Sequence, residues 1–238
     1  ALGYRAGLIS TVVYKIDGRE VEATHTTPDA IRLNAMMREM VDAGCAYCFM
    51  ECSSHAIVQR RTRGLRFAGG LFTNLTHDHL DYHKTFAAYL RAKKAFFDTL
   101  PREAFALVNL DDRNGGVMVQ NTAAEVRSYS LRSAADFRCR IVETHLDGML
   151  LRLDGREVWT HLPGRFNASN LAAVYGAARL LGFGAEETLR ALSALRPVDG
   201  RFQVLRADDG TTAVVDYAHT PDALENVLRT IEELRRPG

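Results

Sequence analysis

Short apolar strands alternate with amphipathic helices along the first half of this chain of 238 residues. Strand-like runs at residues 46–51, 67–73 and 105–109 flank helical patterns at residues 55–63 and 85–100. Successive strands joined by a helix lie parallel, because the helix returns the chain to the edge where the previous strand began. We therefore predict an α/β fold with a mainly parallel, doubly wound sheet.

The opening segment is predicted to form a β-hairpin followed by a helix. The turn dipeptide Asp17-Gly18 joins two segments rich in β-forming residues. Thr27 is placed to cap a helix that runs to about Val41.

The second half of the chain predicts an antiparallel addition and a second domain. Between residues 126 and 161, short strands alternate with turn dipeptides, and two helical patterns follow. We interpret residues 197–200 as a linker that precedes two further strands and a helix. The predicted domains are therefore residues 1–199 and residues 200–238, a division that fits ordinary domain sizes.

The charge balance excludes two classes of partner. The chain carries 30 basic and 29 acidic residues, a formal net charge of +1, and no apolar run long enough to span a bilayer. Binding to nucleic acid or to a membrane surface needs an excess of positive charge. We therefore expect neither as a partner.

The cysteine spacing has two interpretations. Cys45 and Cys48 have the spacing of half a zinc site or of a redox pair, but no second pair follows. We interpret residues 46–51 as a buried strand, and the cysteines as small core residues of a protein from a reducing compartment.

A polar run at residues 74–83 directly follows the predicted strand at residues 67–73. It contains three imidazoles and two carboxylates within ten residues. Its imidazoles and carboxylates are His77, Asp78, His79, Asp81 and His83. Open α/β sheets bind ligands at the carboxyl ends of their strands. These groups suit divalent cations and phosphate-linked chemistry, so the run predicts a functional site.

The helix predicted at residues 85–100 has a lysine within its apolar face. The apolar residues recur at helical spacing and are Phe86, Tyr89, Leu90, Phe96, Phe97 and Leu100. Projected around the helix, Lys93 lies in the middle of this stripe, whereas Lys94 lies towards its edge or beyond. The Lys93 amine must reach solvent along its flexible stem, find an anion, lose its proton or be chemically modified.

With these motifs placed, the chain resembles the Mur ligase family. Two segments match the branch that adds the third residue of the peptidoglycan stem peptide. One is Met50-Glu51-Cys52-Ser53-Ser54-His55 with its continuation to residue 61, and the other is the polar run with the two residues before it. Further matches follow in family order at residues 109–112, 164–170, 200–201 and 216–224.

The resemblance implies a cytoplasmic, monomeric ligase of three domains, of which this chain would carry most of the central ATPase domain and the start of the carboxyl-terminal one. The implied reaction uses ATP and Mg²⁺ to join UDP-N-acetylmuramoyl-L-alanyl-D-glutamate to a diamino acid, either meso-diaminopimelate or L-lysine, through an acyl phosphate. The family's Gly-rich phosphate loop would stand just before Ala1. We therefore expect this piece of the protein to be inactive alone.

The resemblance also implies residue roles. It assigns catalysis and Mg²⁺ binding to Glu51, His79 and Lys93, the last as a carbamate formed with carbon dioxide. Contacts to the muramoyl-dipeptide are assigned to Thr26, Thr27, Ser53, Gln59 and Arg61. Contacts to the nucleotide are assigned to Asn74, Asn167, Asn170, Arg201, Asp216 and His219.

Several of these residues have structural interpretations when they are taken separately. Thr26, Thr27 and Asn167 are suited to helix capping, and so is Glu51 before Ser53-Ser54. Arg61 alone is typical of a solvated charge, and Asp216 and His219 follow a strand where an ordinary turn uses such residues.

Three alternative functions stay open. Sister Mur ligases and folylpolyglutamate synthases share the ATPase plan, and a paralogue without a phosphate loop would be non-catalytic. Residues 77–83 approach the H-x-H-x-D-H zinc motif of metallo-β-lactamase-like hydrolases, although Tyr82 separates Asp81 from His83.

Overall fold

The computed structural model describes residues 2–76 and 80–235. Their contacts divide the chain into two compact units. The first comprises Ala1–Gly70, His77–Ala106 and Val117–Glu125, and the second comprises Leu71–Thr76, Leu107–Gly116 and Val126–Gly238. The predicted domain boundary at residues 199 and 200 stays a prediction.

A four-stranded sheet of the first unit has the order β3-β2-β1-β4. Its strands are β1 (Ala6–Ile9), β2 (Val13–Ile16), β3 (Arg19–Glu22) and β4 (Tyr47–Met50). β1 pairs antiparallel with β2 and parallel with β4, and β2 and β3 form the predicted hairpin. Asp17 and Gly18 both have positive φ in its turn, the conformation that a two-residue hairpin needs.

The expectation that β4 is a buried strand is wrong for this sheet. β4 lies at its edge, and the Phe49 side chain is 51% exposed. The sheet's core comes instead from β1, β2 and helix α1 (Ala30–Asp42), through Ile9, Tyr14, Leu33 and Met36.

Helix α1 is capped by Asp29 rather than by Thr27. The Asp29 carboxylate accepts hydrogen bonds from the amides of Ile31 and Arg32. Thr27 cannot serve because it is fully buried and its hydroxyl is bonded to Glu51 and Ser53. The capping interpretation of Thr27 is therefore wrong.

Three further helices of the first unit are α2 (Ser54–Val58), α3 (Leu80–His83) and α4 (Phe86–Asp98). α2 is shorter than predicted because the chain leaves helical geometry at Arg60, where φ is 55°. α4 begins as expected, since the Thr85 hydroxyl accepts a hydrogen bond from the amide of Ala88.

The projection of α4 was wrong about Lys94. Its side chain is buried, whereas Lys93 is half-buried. The buried face of α4 is wider than the apolar stripe, and Lys94 is tolerated there because Nζ lies 2.5 Å from Oδ1 of Asp98, one turn later.

A six-stranded sheet has the order β10-β9-β8-β7-β6-β5. Its strands are β5 (Gly69–Phe72), β6 (Phe105–Asn109), β7 (Glu125–Ser130), β8 (Phe137–His145), β9 (Gly148–Leu153) and β10 (Arg156–Thr160). All five residues of β6 are buried, as expected of a strand covered on both faces. β7 and β8 are parallel, and the predicted antiparallel addition continues this sheet through β9 and β10.

The remaining elements follow the predicted order except for one short helix. They are α5 (Gly115–Met118), which was not predicted, α6 (Arg165–Leu180), α7 (Ala185–Ser193), β11 (Gln203–Arg206), β12 (Thr212–Val215) and α8 (Pro221–Leu234). The predicted α/β architecture with an antiparallel addition is confirmed. Among the described residues, no helix is both long enough and apolar enough to cross a membrane.

Candidate functional site

The carboxyl end of β4 places Glu51 beside the loop that follows β1. The amide and the hydroxyl of Thr11 donate to Oε2 of Glu51 over 2.9 Å and 2.6 Å. Parallel pairing of β1 with β4 brings the two residues together, since parallel strands end at the same edge of a sheet. Sequence reasoning did not find Thr11, because this pairing has no local signal.

The Glu51 carboxylate remains open on its other oxygen. The side chain is exposed, and within residues 2–76 and 80–235 its Oε1 accepts no hydrogen bond. The helix-cap interpretation of Glu51 is wrong, because α2 is capped by Ser53, whose hydroxyl accepts from the amide of Ala56 at 3.1 Å.

Thr27 joins three of the predicted substrate residues into one hydrogen-bonded cluster. Its hydroxyl donates to the carbonyl of Glu51 over 2.7 Å and accepts from the amide of Ser53 over 3.1 Å. Its carbonyl accepts from Nη1 of Arg61 over 2.7 Å. The solvated-charge interpretation of Arg61 is wrong, since its Nε also donates to Oε1 of Gln59 over 2.9 Å.

Thr26 lies at the edge of this cluster. Its hydroxyl is 3.2 Å from that of Thr11, which connects it to Glu51. The structure thus brings all five predicted dipeptide residues to the carboxyl end of β4, and they present hydroxyl, amide and guanidinium groups that suit carboxylates and phosphates.

The amine of Lys93 lies over an aromatic ring. Its Nζ is 5.4 Å from the centre of the Tyr89 ring, one helical turn earlier. Burial raises the pKa of the Cys52 thiol to about 12, and the nearby charge of Lys93 opposes that rise.

The third predicted metal ligand, His79, lies outside the described residues, and so do His77 and Asp78 of the zinc-like motif. Among residues that the structure describes, no three His, Cys, Asp or Glu side chains gather as metal ligands. This does not conflict with Mg²⁺, which uses one or two protein carboxylates and takes its other ligands from phosphates and water.

The cysteines behave as packing residues. Cys45 and Cys48 pack against the core of the first unit. Burial, and secondarily Cys45, raises the pKa of Cys48 to about 11. Such a thiol is rarely ionised near neutral pH, which agrees with the structural interpretation.

The second unit contains a cavity of about 650 Å³ lined by two of the predicted nucleotide residues, Asn74 and Asn170. Two aspartates to which the sequence assigned no role, Asp111 and Asp112, also line it. Asp111 accepts from the hydroxyl of Ser130 and the amide of Leu131, and Asp112 accepts from the amide of Leu75. Their position shortly after the buried strand β6 was the sequence signal that could have identified them.

Gly115 brings the chain close to the end of β6 beside this cavity. A Cβ at Gly115 would lie 2.2 Å from the carbonyl oxygen of Asn109, which itself lines the cavity. The Asn109 side chain donates to the carbonyl of Thr73 over 2.8 Å and so links the ends of β5 and β6.

The other predicted nucleotide residues do not line this cavity. Asn167 is not an N-cap, because Gly164 occupies that position and the Asn167 side chain donates back to the carbonyl of Pro163. Both oxygens of Asp216 accept backbone amides, from Phe202 and Ala218, as in the turn interpretation.

Arg201 and His219 both contact the ring of one aromatic residue, Tyr217. The Arg201 guanidinium is 5.4 Å from the Tyr217 ring centre, and the His219 ring is 5.0 Å from it. Nδ1 of His219 donates a hydrogen bond to the Tyr217 carbonyl over 2.9 Å. Tyr217 was named only as part of a motif.

Comparison with known proteins identifies two parts of the chain. A model of the Mur ligase middle domain matches residues 1–178, and a model described as Mur ligase, glutamate ligase domain, matches residues 200–238.

Several proteins similar to this chain are named UDP-N-acetylmuramoyl-L-alanyl-D-glutamate--2,6-diaminopimelate ligase. That of Phocaeicola vulgatus is 62% identical over 232 residues, which are 98% of this chain and 48% of that protein. That of Bacteroides thetaiotaomicron is 58% identical over 229 residues, 96% of this chain and 48% of that protein. A solved structure of this name superposes with a TM-score of 0.82 at 31% identity, over 98% of this chain and 49% of the other.

The chain spans about half the length of the curated relatives it matches. The middle-domain model alone covers residues 1–178 of the 238. The chain therefore belongs to the Mur ligase family.

Proposed function

We propose that this chain is the central part of an ATP-dependent ligase that joins UDP-N-acetylmuramoyl-L-alanyl-D-glutamate to 2,6-diaminopimelate. The observation that carries the proposal is the 62% identity over 98% of the chain with the Phocaeicola vulgatus enzyme of that name. The cluster of Thr27, Ser53 and Arg61 beside Glu51 supports it, because its groups suit an anionic substrate.

In the proposed reaction, a substrate carboxylate oxygen attacks the γ-phosphorus of ATP, and ADP leaves with the electrons of the broken bond. The incoming amine then attacks the acyl carbon, the bond to the phosphate oxygen breaks, and the amine loses a proton. The first step brings a carboxylate up to a polyphosphate, so binding, orientation and charge neutralisation are the main tasks of the protein.

Arg61 and Thr27 orient the substrate in this proposal. Two donors of Arg61 are used by Thr27 and Gln59, which leaves its Nη2 for an anionic group of the muramoyl-dipeptide. Thr26 and Ser53 add hydroxyls to the same face.

Glu51 is the proposed Mg²⁺ ligand, with His79 and the carbamate of Lys93. The Oε1 of Glu51 accepts no hydrogen bond from any residue that the structure describes, and the carboxylate is exposed, which fits this use. When bound, Mg²⁺ neutralises phosphate charge. Asn74 and Asn170 are proposed to contact the nucleotide from the cavity, and Asn167, Arg201, Asp216 and His219 from its surroundings.

The carbamate forms when the neutral Lys93 amine attacks carbon dioxide, an N–C bond forms and a proton is released. Labelling with ¹³C-bicarbonate is expected to give a carbamate carbon signal that is lost in Lys93→Arg. A spectrum without that difference would rule out the modification.

The function is tested by phosphate release from the full protein that contains this chain, with ATP, Mg²⁺ and the UDP-linked dipeptide. Release is expected with diaminopimelate and not with L-lysine. Glu51→Gln should lower kcat by about a hundredfold, by analogy with the loss of one electrostatic contact at a reacting anion. Glu22→Gln, an exposed carboxylate at the end of β3, is the matched control.

Release with neither diamino acid would refute the proposed reaction and favour a non-catalytic paralogue. Equal activity of Glu51→Gln and Glu22→Gln would remove Glu51 from the site.

A further inference from the structure

Aromatic side chains from three helices of the first unit form a continuous stack that ends at Lys93. α2 contributes His55, α3 contributes Tyr82 and His83, and α4 contributes Tyr89. The proposed function assigns a role to none of these four.

Burial and a hydrogen bond hold the His83 ring of this stack in place. It is 9% exposed, and its Nε2 lies 2.8 Å from the hydroxyl of Ser54, which is itself buried at the start of α2. This hydrogen bond sets the orientation of the imidazole, because only one ring edge can face Ser54. The rings of His55 and Tyr82 pack against each other with centres 4.1 Å apart and hold α3 against α2.

Tyr89 packs against the His83 ring, and its own ring contacts Lys93. The His83 and Tyr89 ring centres are 5.2 Å apart and their planes are 32° apart, so the imidazole backs the phenol ring. Tyr89 is 5% exposed and has little room to rotate. The Lys93 ammonium lies 5.4 Å from the centre of this ring, within the range in which an aromatic face attracts a cation.

The position of Lys93 matters because its stem is long. Four rotatable bonds allow a lysine amine to reach many places, and a fixed aromatic face selects among them. Ser54, which anchors this stack through His83, follows Glu51 by three residues beyond the end of β4.

We propose that His83 and Tyr89 are positioning residues for Lys93: Ser54 orients His83, His83 supports the Tyr89 ring, and the ring face holds the amine. The inference rests on the proposed function for its catalytic consequence only. The carbamate of that function would start from the amine position that Tyr89 sets.

The positional part is tested by limited acetylation of the full protein in buffer depleted of carbon dioxide, with mass spectrometry of each lysine. Tyr89→Leu is expected to raise the acetylation rate of Lys93 by about threefold or more, the size of a lost cation–π contact. Tyr89→Phe keeps the ring face and should restore the original rate. Lys84, which is exposed, is the internal control.

Ser54→Ala is the second variant, because it removes the anchor of His83 with little change in volume and without touching α4. It should raise Lys93 acetylation in the same direction. An unchanged Lys93 rate in both Tyr89→Leu and Ser54→Ala, or an equal rise at Lys84, would overturn the proposal.

The catalytic consequence is tested by kcat in the phosphate-release assay. Tyr89→Leu should lower kcat by at least about tenfold, since small displacements of a reacting group are costly, and Tyr89→Phe should recover the rate. In a Lys93→Ala background, Tyr89→Leu should cause no further loss. A further loss of the same size would show that Tyr89 acts by another route.

The two proposals fail separately. A wild-type protein without ligase activity refutes the proposed function, whereas the acetylation rates still decide whether Tyr89 and His83 position Lys93.

Discussion

Replacing Thr27 by valine removes one hydroxyl and keeps the shape of the side chain. Thr27 is fully buried, and that hydroxyl makes two hydrogen bonds, to the carbonyl of Glu51 and from the amide of Ser53. The substitution therefore removes the hydrogen bonds that link the segment before α1 to the turn between β4 and α2, without creating a cavity.

The loss of stability comes from the Glu51 carbonyl and the Ser53 amide, which lose their hydrogen-bond partner. Each lost hydrogen bond removes about 1 kcal/mol, and a buried partner without a replacement costs up to about 3 kcal/mol. Because both partners are backbone groups in a half-buried turn, we expect Thr27→Val to lower the free energy of unfolding by about 2–4 kcal/mol.

Thr26→Val is the matched control. It is the same change one residue earlier, but the Thr26 hydroxyl has a single contact, 3.2 Å from Thr11, in an exposed setting. Its expected cost is below about 1 kcal/mol.

Urea denaturation followed by circular dichroism measures both costs, and hydrogen exchange at the Ser53 amide measures the local effect. Protection of that amide should fall in Thr27→Val and persist in Thr26→Val. If the two variants unfold at the same urea concentration and Ser53 stays protected in both, the buried Thr27 hydroxyl does not anchor this turn.

Three further expectations follow from individual contacts. Asp98→Asn removes the carboxylate beside the buried Lys94 ammonium and should lower the free energy of unfolding, measured by urea denaturation, by about 1–3 kcal/mol. Asp42→Asn, in the exposed pair with Arg38 of equal spacing, should lower it by less, and similar costs would contradict the role of burial. Gly115→Ala should lower the free energy of unfolding by about 1–3 kcal/mol, because the added Cβ would meet the Asn109 carbonyl. Gly116→Ala, one residue later, should be close to neutral because its Cβ would meet nothing within 4 Å. Equal effects of the two substitutions would disprove the close approach at Gly115. The hydrogen bond from the Ser128 hydroxyl lowers the pKa of the Asp136 carboxyl, so its contribution to stability is present above the pKa of ordinary aspartate and is lost as the pH falls through the lower folded value. Carboxyl-carbon NMR titration should show that pKa rising in Ser128→Ala, and an unchanged value would exclude Ser128 as the cause.

Elements with local signals were predicted well. The hairpin turn at Asp17-Gly18 and the start of the helix predicted from residue 85 depend on residues within one turn of the chain, and the structure contains both. The apolar face of α1 is equally local, since Leu33, Met36 and Met40 recur at helical spacing.

The errors occurred where a distant partner competes with a local one. Thr27 has the composition of a helix cap, but its hydroxyl is taken by Glu51, 24 residues later. Lys94 has the composition of a surface residue, but the elements around α4 cover it and Asp98 compensates its charge.

The sequence by itself determined the alternation of strands and helices, the family and the residues near the end of β4, because periodicity, capping and motif order are written in neighbouring positions. Only the tertiary structure decided which groups meet: Thr11 with Glu51 across 40 residues, Arg61 with Thr27 across 34, and His83 with Ser54 across 29. Such contacts depend on strand pairing and helix packing, which a linear pattern constrains but does not specify.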